Sequence, residues 1–403
     1  MVWRDIRLEQ EKSLSPLATR SDQSLGRKLP EQPCIVRSDY ERDANRILYS
    51  EDFRRLRHKT QVFFNAKNDH ICTRMEHVLY VNSISNTIGR TLGLNQDLIT
   101  AIALGHDIGH APFGHSGERA LNRSLQKVNP HLSFHHELHS LRVVDRLSTR
   151  ISKEKIHERC GLNLTYEVRD GIVSHCGENY SEYELHADPH KDPEKIYETD
   201  HRSCMPRTLE ACVVRLVDKI AYVGRDIEDA VRANVMDFSD ISQEIRSELG
   251  ATNGEMINTL VVDLIENSYG TEYIRLSPAR GQALKEMIEE NNRRIYQADM
   301  IRRYEINANN VVEGLFEILY EAACNIMNDI KFDEADGTVH VCLPKGAGGR
   351  SAAHQDKVLR RLGEFVAEKG YHEQELPEQI VTDYIAGMTD GYALHRYEDI
   401  YWI

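Results

Sequence analysis

The sequence predicts an all-α protein with at most one small β element near residues 338–343. Apolar residues recur at three- and four-residue intervals through most of the 403-residue chain, which is the period of an amphipathic helix. The run Thr338-Val-His-Val-Cys-Leu343 is the only strand-like stretch. Neither a GxGxxG fingerprint nor a phosphate loop ending in Gly-Lys-Ser/Thr occurs. Helices are therefore expected to form nearly all of the regular structure.

Composition and charge favour a globular protein over a nucleic-acid-binding or membrane protein. Hydrophobic residues make up 40% and charged residues 28% of the chain, and the formal net charge is −14. Such acidity argues against general affinity for phosphate backbones, although a local basic pocket is compatible with it. No apolar run approaches the roughly 18 residues of a membrane span. The eight cysteines contain no CxxC pair. We therefore expect a cytoplasmic protein with reduced thiols and no membrane partner.

The chain is predicted to fall into three segments. Residues 1–37 are expected to form an irregular N-terminal arm, residues 38–235 a helical core and residues 236–403 a helical C-terminal region. A charge-rich stretch with three prolines, at about residues 180–206, is expected to be a surface excursion from the core.

Capping residues mark the expected helix starts. Ser38 and Thr73 each precede a stretch of regularly spaced apolar residues, and their hydroxyls can accept hydrogen bonds from the first turn of a helix. The helix after Thr73 carries His77 on its apolar face. Further helices are predicted at residues 97–104, 118–125, 134–147, 166–175, 208–233, 256–266, 280–297, 307–330 and 357–368.

The stretch from Leu104 to Glu118 has the composition of a functional site. It contains three histidines, two acids and four glycines directly after an apolar helix. Glycine and proline prevent an uninterrupted helix here. The side chains of His110, His115 and Glu118 are therefore expected to lie on a loop that is supported by the neighbouring helices. His135 and His139, in the following helix, are expected to face solvent.

Two imidazoles and two carboxylates from three predicted helices can form one metal-binding set. His77 alone would more often be a hydrogen-bonded core residue, but the neighbouring His106-Asp107 doublet favours a ligand. Such an N2O2 set suits a divalent ion such as Mn, Mg, Fe, Zn or Ni, with positions left for water or a phosphate oxygen. The proposed metal ligands are His77, His106, Asp107 and Asp218.

The predicted helix at residues 208–233 carries Asp218, Tyr222 and Asp226 at four-residue steps beside its buried stripe. Burying these groups costs free energy unless a metal, sugar or cation binds them. The alternative interpretation is that they form salt bridges with nearby arginines.

Nearby histidines and one acid are expected to transfer protons near neutral pH, and Arg74 and Lys219 to offer positive charge to phosphates. The proposed catalytic residues are His110, His115, Glu118 and His136.

Longer motifs resemble one known family. His77, His106-Asp107 and Asp218 resemble the H…HD…D signature of HD-domain metal-dependent phosphohydrolases. The surrounding strings are similar to the deoxynucleoside triphosphate triphosphohydrolases, in the bacterial dGTPase branch. They are Phe53-Arg-Arg-Leu-Arg-His-Lys-Thr-Gln61, Arg74-Met-Glu-His77, His106-Asp-Ile-Gly-His-Ala-Pro-Phe-Gly-His115, His136-Glu137, Asp218-Lys-Ile-Ala-Tyr222 with Asp226, and Asp383-Tyr-Ile-Ala-Gly-Met-Thr-Asp390.

This resemblance implies an HD-fold enzyme that hydrolyses dGTP or other dNTPs to deoxynucleoside and inorganic triphosphate. It assigns triphosphate contacts to Arg74 and Lys219 and acid–base or phosphate contacts to the proposed catalytic residues. Sugar contacts are implied for Gln61, Tyr222, Asp226 and Tyr296. Asn292 stands where some members of that family have a histidine. This difference affects the part of the pocket that sets base preference.

The resemblance also implies an even-numbered homo-oligomer, such as a tetramer or hexamer, with the C-terminal region completing the pocket and the oligomer contacts. A dNTP as an allosteric activator is part of the same expectation. Two alternatives stay open. One is an HD phosphohydrolase acting on another nucleotide, such as a 5′-nucleotidase. The other is a non-catalytic nucleotide-sensing or nucleic-acid-binding regulator, although binding of single-stranded DNA is not indicated by the acidic charge.

Overall fold

Sixteen α-helices, six short 3-10 or π-helical segments and two small antiparallel sheets form the regular structure of the described residues. The computed structural model describes residues 3–63, 71–148, 161–176, 182–198, 204–332, 339–341, 350–371 and 375–401. The helices are α1 (Trp3–Glu11), α2 (Asp39–Tyr49), α3 (Glu51–Arg55), α4 (Arg74–Leu92), α5 (Gln96–Gly105), α6 (Gly114–Val128), α7 (His136–Arg142), α8 (Tyr166–Val173), α9 (Leu209–Arg232), α10 (Gln243–Leu249), α11 (Asn253–Ser268), α12 (Pro278–Asn291), α13 (Asp299–Asp329), α14 (Arg350–Lys369), α15 (Pro377–Ala386) and α16 (Asp390–Tyr401).

Helix α9 runs through the centre of the core. Thr208 caps its first turn by accepting a hydrogen bond from the Ala211 amide at 3.2 Å. Leu216, Ile220 and Ile227 lie on its buried side, and helices α4, α5, α8, α11 and α12 pack around it. This packing explains why the helix at residues 208–233 shows an unbroken apolar stripe in the sequence. It also places the acids beside that stripe at the centre of the molecule.

Four short strands form the two sheets of the described residues. Strand β1 (Glu184–His186) pairs with β2 (Tyr273–Arg275), and β3 (Ile330–Phe332) pairs with β4 (Val339–Val341). The all-α class is confirmed, and β4 lies within the predicted β element. Of that element, Thr338, Cys342 and Leu343 lie outside the described residues.

The sheet formed by β1 and β2 was not predicted. Leu185 and Ile274 face each other in this pair and are both buried, so the surface excursion is attached to the core there. A three-residue strand buries a single side chain, which leaves no alternation in the sequence to detect. Within the excursion, residues 180–181 and 199–203 lie outside the described residues.

The N-terminal arm is not irregular throughout, as the sequence had suggested, because residues Trp3–Glu11 form α1. Buried carboxylates of the core hold the arm in place. Glu210 accepts hydrogen bonds from Thr19, and Glu167 accepts one from the Leu25 amide at 2.7 Å. Backbone groups of an extended segment need partners when they are buried, and these acids supply them.

The C-terminal helix α15 is joined to the core by a buried ion pair. Arg142, at the end of α7, donates to both oxygens of Asp383 at 2.7–2.9 Å. Tyr371 and Gln379 also donate to this carboxylate, which has no exposed surface. Burial would raise the pKa of Asp383, but contacts with His139 and Arg142 outweigh it and hold the pKa at about 2.

The described helices and cysteines bear on two expectations from composition, the absence of a membrane span and the presence of reduced thiols. None of the helices in these ranges combines the length and apolar character needed to cross a bilayer. The six described cysteines form no disulfide, while Cys160 and Cys342 lie outside the described residues.

We predict that Asp383→Asn lowers the free energy of unfolding at pH 7 by roughly 3 kcal/mol, because the Arg142 guanidinium loses the carboxylate at 2.7 Å and keeps only the more distant Glu375, at 3.8 Å, among the described residues. The pKa of Asp383 is lower in the folded than in the unfolded chain. Its contribution to stability is therefore complete above the ordinary value of 3.8 and lost as the pH falls towards about 2. Chemical denaturation across this pH range measures both effects.

The matched control is Glu364→Gln, which removes one negative charge from an exposed pair with Arg361. Its effect on the free energy of unfolding should stay below about 0.5 kcal/mol. Equal stability losses in the two variants would contradict the structural role given to Asp383.

Candidate active site

Three helices bring the four proposed metal ligands together. His77 lies in the first turns of α4, His106 and Asp107 follow α5, and Asp218 lies in the middle of α9. His77 Nε2 is 2.8 Å from Asp218 Oδ1, and His106 Nε2 is 3.7 Å from the same oxygen. One ligand atom each from His77, His106 and Asp107 lies within 4.8 Å of the others. The residues therefore converge as the sequence predicted.

The ring of His106 is oriented as a metal ligand would be. Its Nδ1 faces the carbonyl oxygen of Ala103 at 2.7 Å, which identifies Nδ1 as the protonated nitrogen. Its Nε2 is buried and has no hydrogen-bond partner among the described residues. A buried nitrogen lone pair without a donor costs free energy, so this atom fits a cation. The donor set is thus able to hold a divalent metal ion.

Asp107 links this set to the cationic side of the site. Its Oδ2 accepts a hydrogen bond from Arg74 at 2.7 Å, and its Oδ1 is 3.1 Å from His110 Nε2. Burial would raise the pKa of Asp107, but His110, Arg74 and His106 hold it well below the ordinary value. Asp107 is therefore ionised at neutral pH.

The proposed catalytic residues lie in one cluster with Glu118 at its centre. The rings of His110 and His136 stack with centroids 3.8 Å apart and planes 13° from parallel. Glu118 Oε2 is 3.1 Å from His136 Nδ1 and 3.3 Å from His115 Nδ1. His115 is 63% exposed, so it lies at the rim, whereas the other three side chains are buried.

The environment drives the pKa values of the two stacked histidines apart. Burial and the nearby Arg74 charge lower the pKa of His110 well below its ordinary value. Burial would also lower the pKa of His136, but the Cys176 sulfur and the Glu118 carboxylate raise it well above that value. A neutral imidazole next to a protonated one is an arrangement suited to acid–base chemistry.

A cavity of about 350 Å³ connects the metal-binding set to the acid–base cluster. Arg74 lies in it with a buried Nη2 that has no hydrogen-bond partner among the described residues, and Lys219 Nζ is 3.1 Å from Glu182. Tyr296 donates a hydrogen bond to Asp226, whose pKa burial raises to about 7. The proposed substrate contacts that line the cavity are Gln61, Arg74, Lys219, Tyr222, Asp226 and Tyr296.

The loop after α5 is held by close backbone packing. A Cβ on Gly109 would lie 2.1 Å from the Ser140 amide nitrogen, so only glycine allows α7 to approach the loop. The Gly109 amide donates to Ser140 Oγ at 2.9 Å. His139 Nδ1 faces the Gly109 carbonyl at 2.8 Å, and its side chain is 4% exposed. The expectation that His139 faces solvent is therefore wrong, since its ring satisfies a buried carbonyl.

The C-terminal region also braces this loop. Asp390, at the start of α16, accepts hydrogen bonds from the Phe113 amide at 2.9 Å and from Thr60. Buried Lys59 donates to the carbonyl oxygens of His110 and Ala386. These contacts place the residues before Gln61 and after His110 against the same C-terminal helices.

Sequence reasoning missed several side chains of the site. His175 and Cys176 line the cavity at the end of α8, and Glu182 pairs with both Lys219 and Arg215. Adjacent polar residues after a short helix give no periodic signal, and Glu182 lies in the charge-rich excursion. Only the three-dimensional packing shows that they belong to the site.

The fold and this set of side chains define an HD-domain phosphohydrolase. Residues 74–223 match the family model of the HD domain, and residues 352–399 match that of the phosphohydrolase-associated domain.

The chain belongs to the family of deoxyguanosinetriphosphate triphosphohydrolase-like proteins. It is 37% identical to the protein of that name from Caldanaerobacter subterraneus subsp. tengcongensis, over 100% of this chain and 96% of the relative. Relatives of the same name from Desulfatibacillum aliphaticivorans and Clostridium tetani are 35% and 34% identical, over 96% of this chain and 95% and 93% of their own lengths. The predicted family and the enzymatic class of hydrolase are confirmed.

We predict that Asp107→Asn weakens metal binding by more than about 100-fold, because it removes a charged ligand from the set. The amide oxygen can still accept from Arg74, so the fold should be retained. Elemental analysis of the purified protein after dialysis against Mn²⁺ measures the loss without any activity assay.

Asp226→Asn is the control, since it neutralises another buried carboxylate of the same cavity outside the set. Its metal content should equal that of the unmodified chain. Normal metal content in Asp107→Asn would show that Asp107 is not a ligand.

Proposed function

We propose that the chain is a metal-dependent dNTP triphosphohydrolase that converts dGTP, and other dNTPs, to deoxynucleoside and inorganic triphosphate. The observation that carries this proposal is a cavity lined by His77, Asp107 and Asp218 of the metal-binding set, by the acid–base histidines and by the Tyr296–Asp226 pair. The relatives are named deoxyguanosinetriphosphate triphosphohydrolase-like proteins, which supports a nucleoside triphosphate of this class as the substrate. Cavities of this size accommodate small ligands.

His77, His106, Asp107 and Asp218 would hold a divalent ion such as Mn, Mg, Fe, Zn or Ni. When bound, this ion supplies charge that polarises a phosphate oxygen and lowers the pKa of water. Four donor atoms from the protein would leave positions for water or a phosphate oxygen on an ion that takes six ligands. The set therefore suits catalysis better than a purely structural role.

The stacked histidines are suited to moving the protons that hydrolysis at the α-phosphorus requires. Neutral His110 can accept a proton from the attacking water, and protonated His136 can donate one to the 5′ oxygen that leaves. Glu118 holds the His136 ring through Nδ1 and stabilises its charge. His115, at the rim, shares Glu118 and can contact phosphate oxygens.

Arg74 and Lys219 are suited to binding the triphosphate. Arg74 is 1% exposed, and its unpartnered Nη2 among the described residues requires an acceptor. Phosphate oxygens supply such acceptors, and a guanidinium matches their geometry. Lys219 adds a second positive charge to the same cavity.

The remaining polar groups suit a deoxyribose. Buried Asp226 accepts a hydrogen bond from the hydroxyl of half-buried Tyr296, and the oxygens of both side chains can accept one from a sugar hydroxyl. The buried Gln61 Oε1 has no hydrogen-bond partner among the described residues. We assign these groups and Tyr222 to the sugar, where close packing at the 2′ position would favour dNTPs over rNTPs.

The even-numbered homo-oligomer, such as a tetramer or hexamer, and activation by a dNTP stay predictions. So does the completion of the pocket and of the oligomer contacts by residues 236–403. Residues 288, 292, 296, 301 and 305 of that segment line the cavity, which supports its part in the pocket.

The first measurement is to incubate the purified chain with Mn²⁺ and each dNTP, rNTP and deoxynucleoside monophosphate, and to separate the products by chromatography. Deoxynucleoside plus inorganic triphosphate is the expected result. Release of single phosphate from a monophosphate substrate would instead support a 5′-nucleotidase. Salt-dependent binding of single-stranded DNA without turnover would support a non-catalytic regulator.

We predict that His110→Ala retains its metal and loses roughly 100- to 10,000-fold in kcat, because it removes a proton-transfer group. Elemental analysis and steady-state kinetics are measured on the same preparation. The control His131→Ala removes an exposed histidine and should leave both values unchanged. Parallel loss of metal in His110→Ala would make His110 a ligand instead.

A further inference from the structure

A second group of soft and borderline metal ligands overlaps the catalytic cluster at His136. We call it the thiol cluster: His136, His175 and Cys176. Cys176 Sγ is 3.1 Å from His136 Nε2 and 3.4 Å from His175 Nε2, and the three atoms lie within 4.8 Å of one another. All three residues line the cavity, so an ion entering with substrate can reach them.

Both imidazoles of the thiol cluster are held with Nε2 towards the sulfur. His136 Nδ1 faces the Glu118 carboxylate at 3.1 Å, and His175 Nδ1 faces the Ile172 carbonyl at 2.6 Å. Engaging the far ring nitrogen with a carboxylate or a backbone carbonyl is the usual way in which a protein orients a histidine ligand. His106 is held in the same way by the Ala103 carbonyl.

The donor atoms of the thiol cluster distinguish it from the N2O2 set. Two nitrogens and a sulfur favour Zn²⁺ over Mg²⁺ or Mn²⁺, because hard ions prefer oxygen ligands. In a tetrahedral zinc site, bonds of about 2.3 Å to sulfur and 2.0 Å to nitrogen place these atoms about 3.5 Å apart. The observed separations of 3.1 and 3.4 Å need only a small adjustment. A water or phosphate oxygen can take the fourth position.

We propose that the thiol cluster is an inhibitory site for Zn²⁺ or a similar thiophilic divalent cation. Binding forms one bond to Cys176 Sγ and one each to His136 Nε2 and His175 Nε2. The proton of the thiol and that of protonated His136 are released to solvent. Occupation removes His136 as a proton donor, and this inhibition rests on the proposed function. None of the four ligands of the N2O2 set is shared, although the rings of His106 and His175 are 4.9 Å apart.

The charges around the thiol cluster suit a dication. A zinc-bound thiolate and the adjacent Glu118 carboxylate together offset two positive charges. Burial raises the pKa of Cys176 to about 11, so the free thiol is protonated at neutral pH and the ion displaces its proton. The Cys176 sulfur is therefore uncharged until a thiophilic ion binds to the thiol cluster.

Cobalt spectroscopy tests the site without an activity assay. Co²⁺ bound by a thiolate gives a charge-transfer band in the near ultraviolet, which an N2O2 set cannot produce. We expect the band in the unmodified chain and its loss in Cys176→Ser, together with one zinc ion fewer per chain by elemental analysis. In His175→Ala the band should require at least about 10-fold more Co²⁺.

Cys34→Ser is the control. Although burial would raise it, hydrogen bonds from Arg37 and Val36 lower the pKa of Cys34 to about 7, so Cys34 is more readily ionised than Cys176. The band should persist in Cys34→Ser. No band in the unmodified chain, or an equal band in Cys176→Ser, would overturn the proposal.

The inhibitory role is tested by adding Zn²⁺ to Mn²⁺-supported dNTP hydrolysis. The zinc concentration that halves the rate should be at least about 10-fold higher for Cys176→Ser, each variant being compared with its own zinc-free rate. Exchange of zinc into the N2O2 set affects both proteins equally, so equal inhibition would refute the inhibitory role. If no variant hydrolyses any dNTP, the proposed function fails while the cobalt spectra still decide the site.

Discussion

Buried charge must be neutralised within the protein, and this requirement connects the active site to the rest of the fold. Asp107 is buried between Arg74 and His110, so its charge depends on α4 and on the loop after α5. Asp218 reaches the same point from α9. Removing charged groups from water costs several kcal/mol for each one, unless partners of opposite charge or a metal replace the solvent. The helices are therefore held in one arrangement by the groups that also form the site.

The same requirement explains why the C-terminal helices are part of the catalytic structure. Asp390 accepts hydrogen bonds from the segments before Gln61 and after Ala111, and Asp383 neutralises Arg142 at the end of α7. Asp390 holds two backbone segments that carry site residues, and Asp383 holds the end of α7, the helix that begins at His136. Movement of α15 or α16 would therefore displace residues that line the cavity, although neither helix supplies a proposed catalytic group.

Glu118 has a similar organising role on the acid–base side. It accepts from the His136 amide at 3.0 Å, faces the His136 ring and approaches His115. One carboxylate thus sets both the position and the charge of His136, while stacked His110 stays neutral beside it. Cys176 Sγ lies 3.1 Å from the opposite ring nitrogen of this imidazole.

The sequence by itself determined the helical class, the family and the convergence of His77, His106, Asp107 and Asp218. The helical period, the capping residues and the HD motif are local signals, and they can be recognised without knowledge of the packing. Tertiary structure alone decided the burial of His139, the pairing of β1 with β2 and the position of Cys176 between two histidines. These features depend on contacts between residues far apart in the chain or on a single buried position. Neither leaves a periodic pattern in the sequence. Only packing converts such isolated residues into partners.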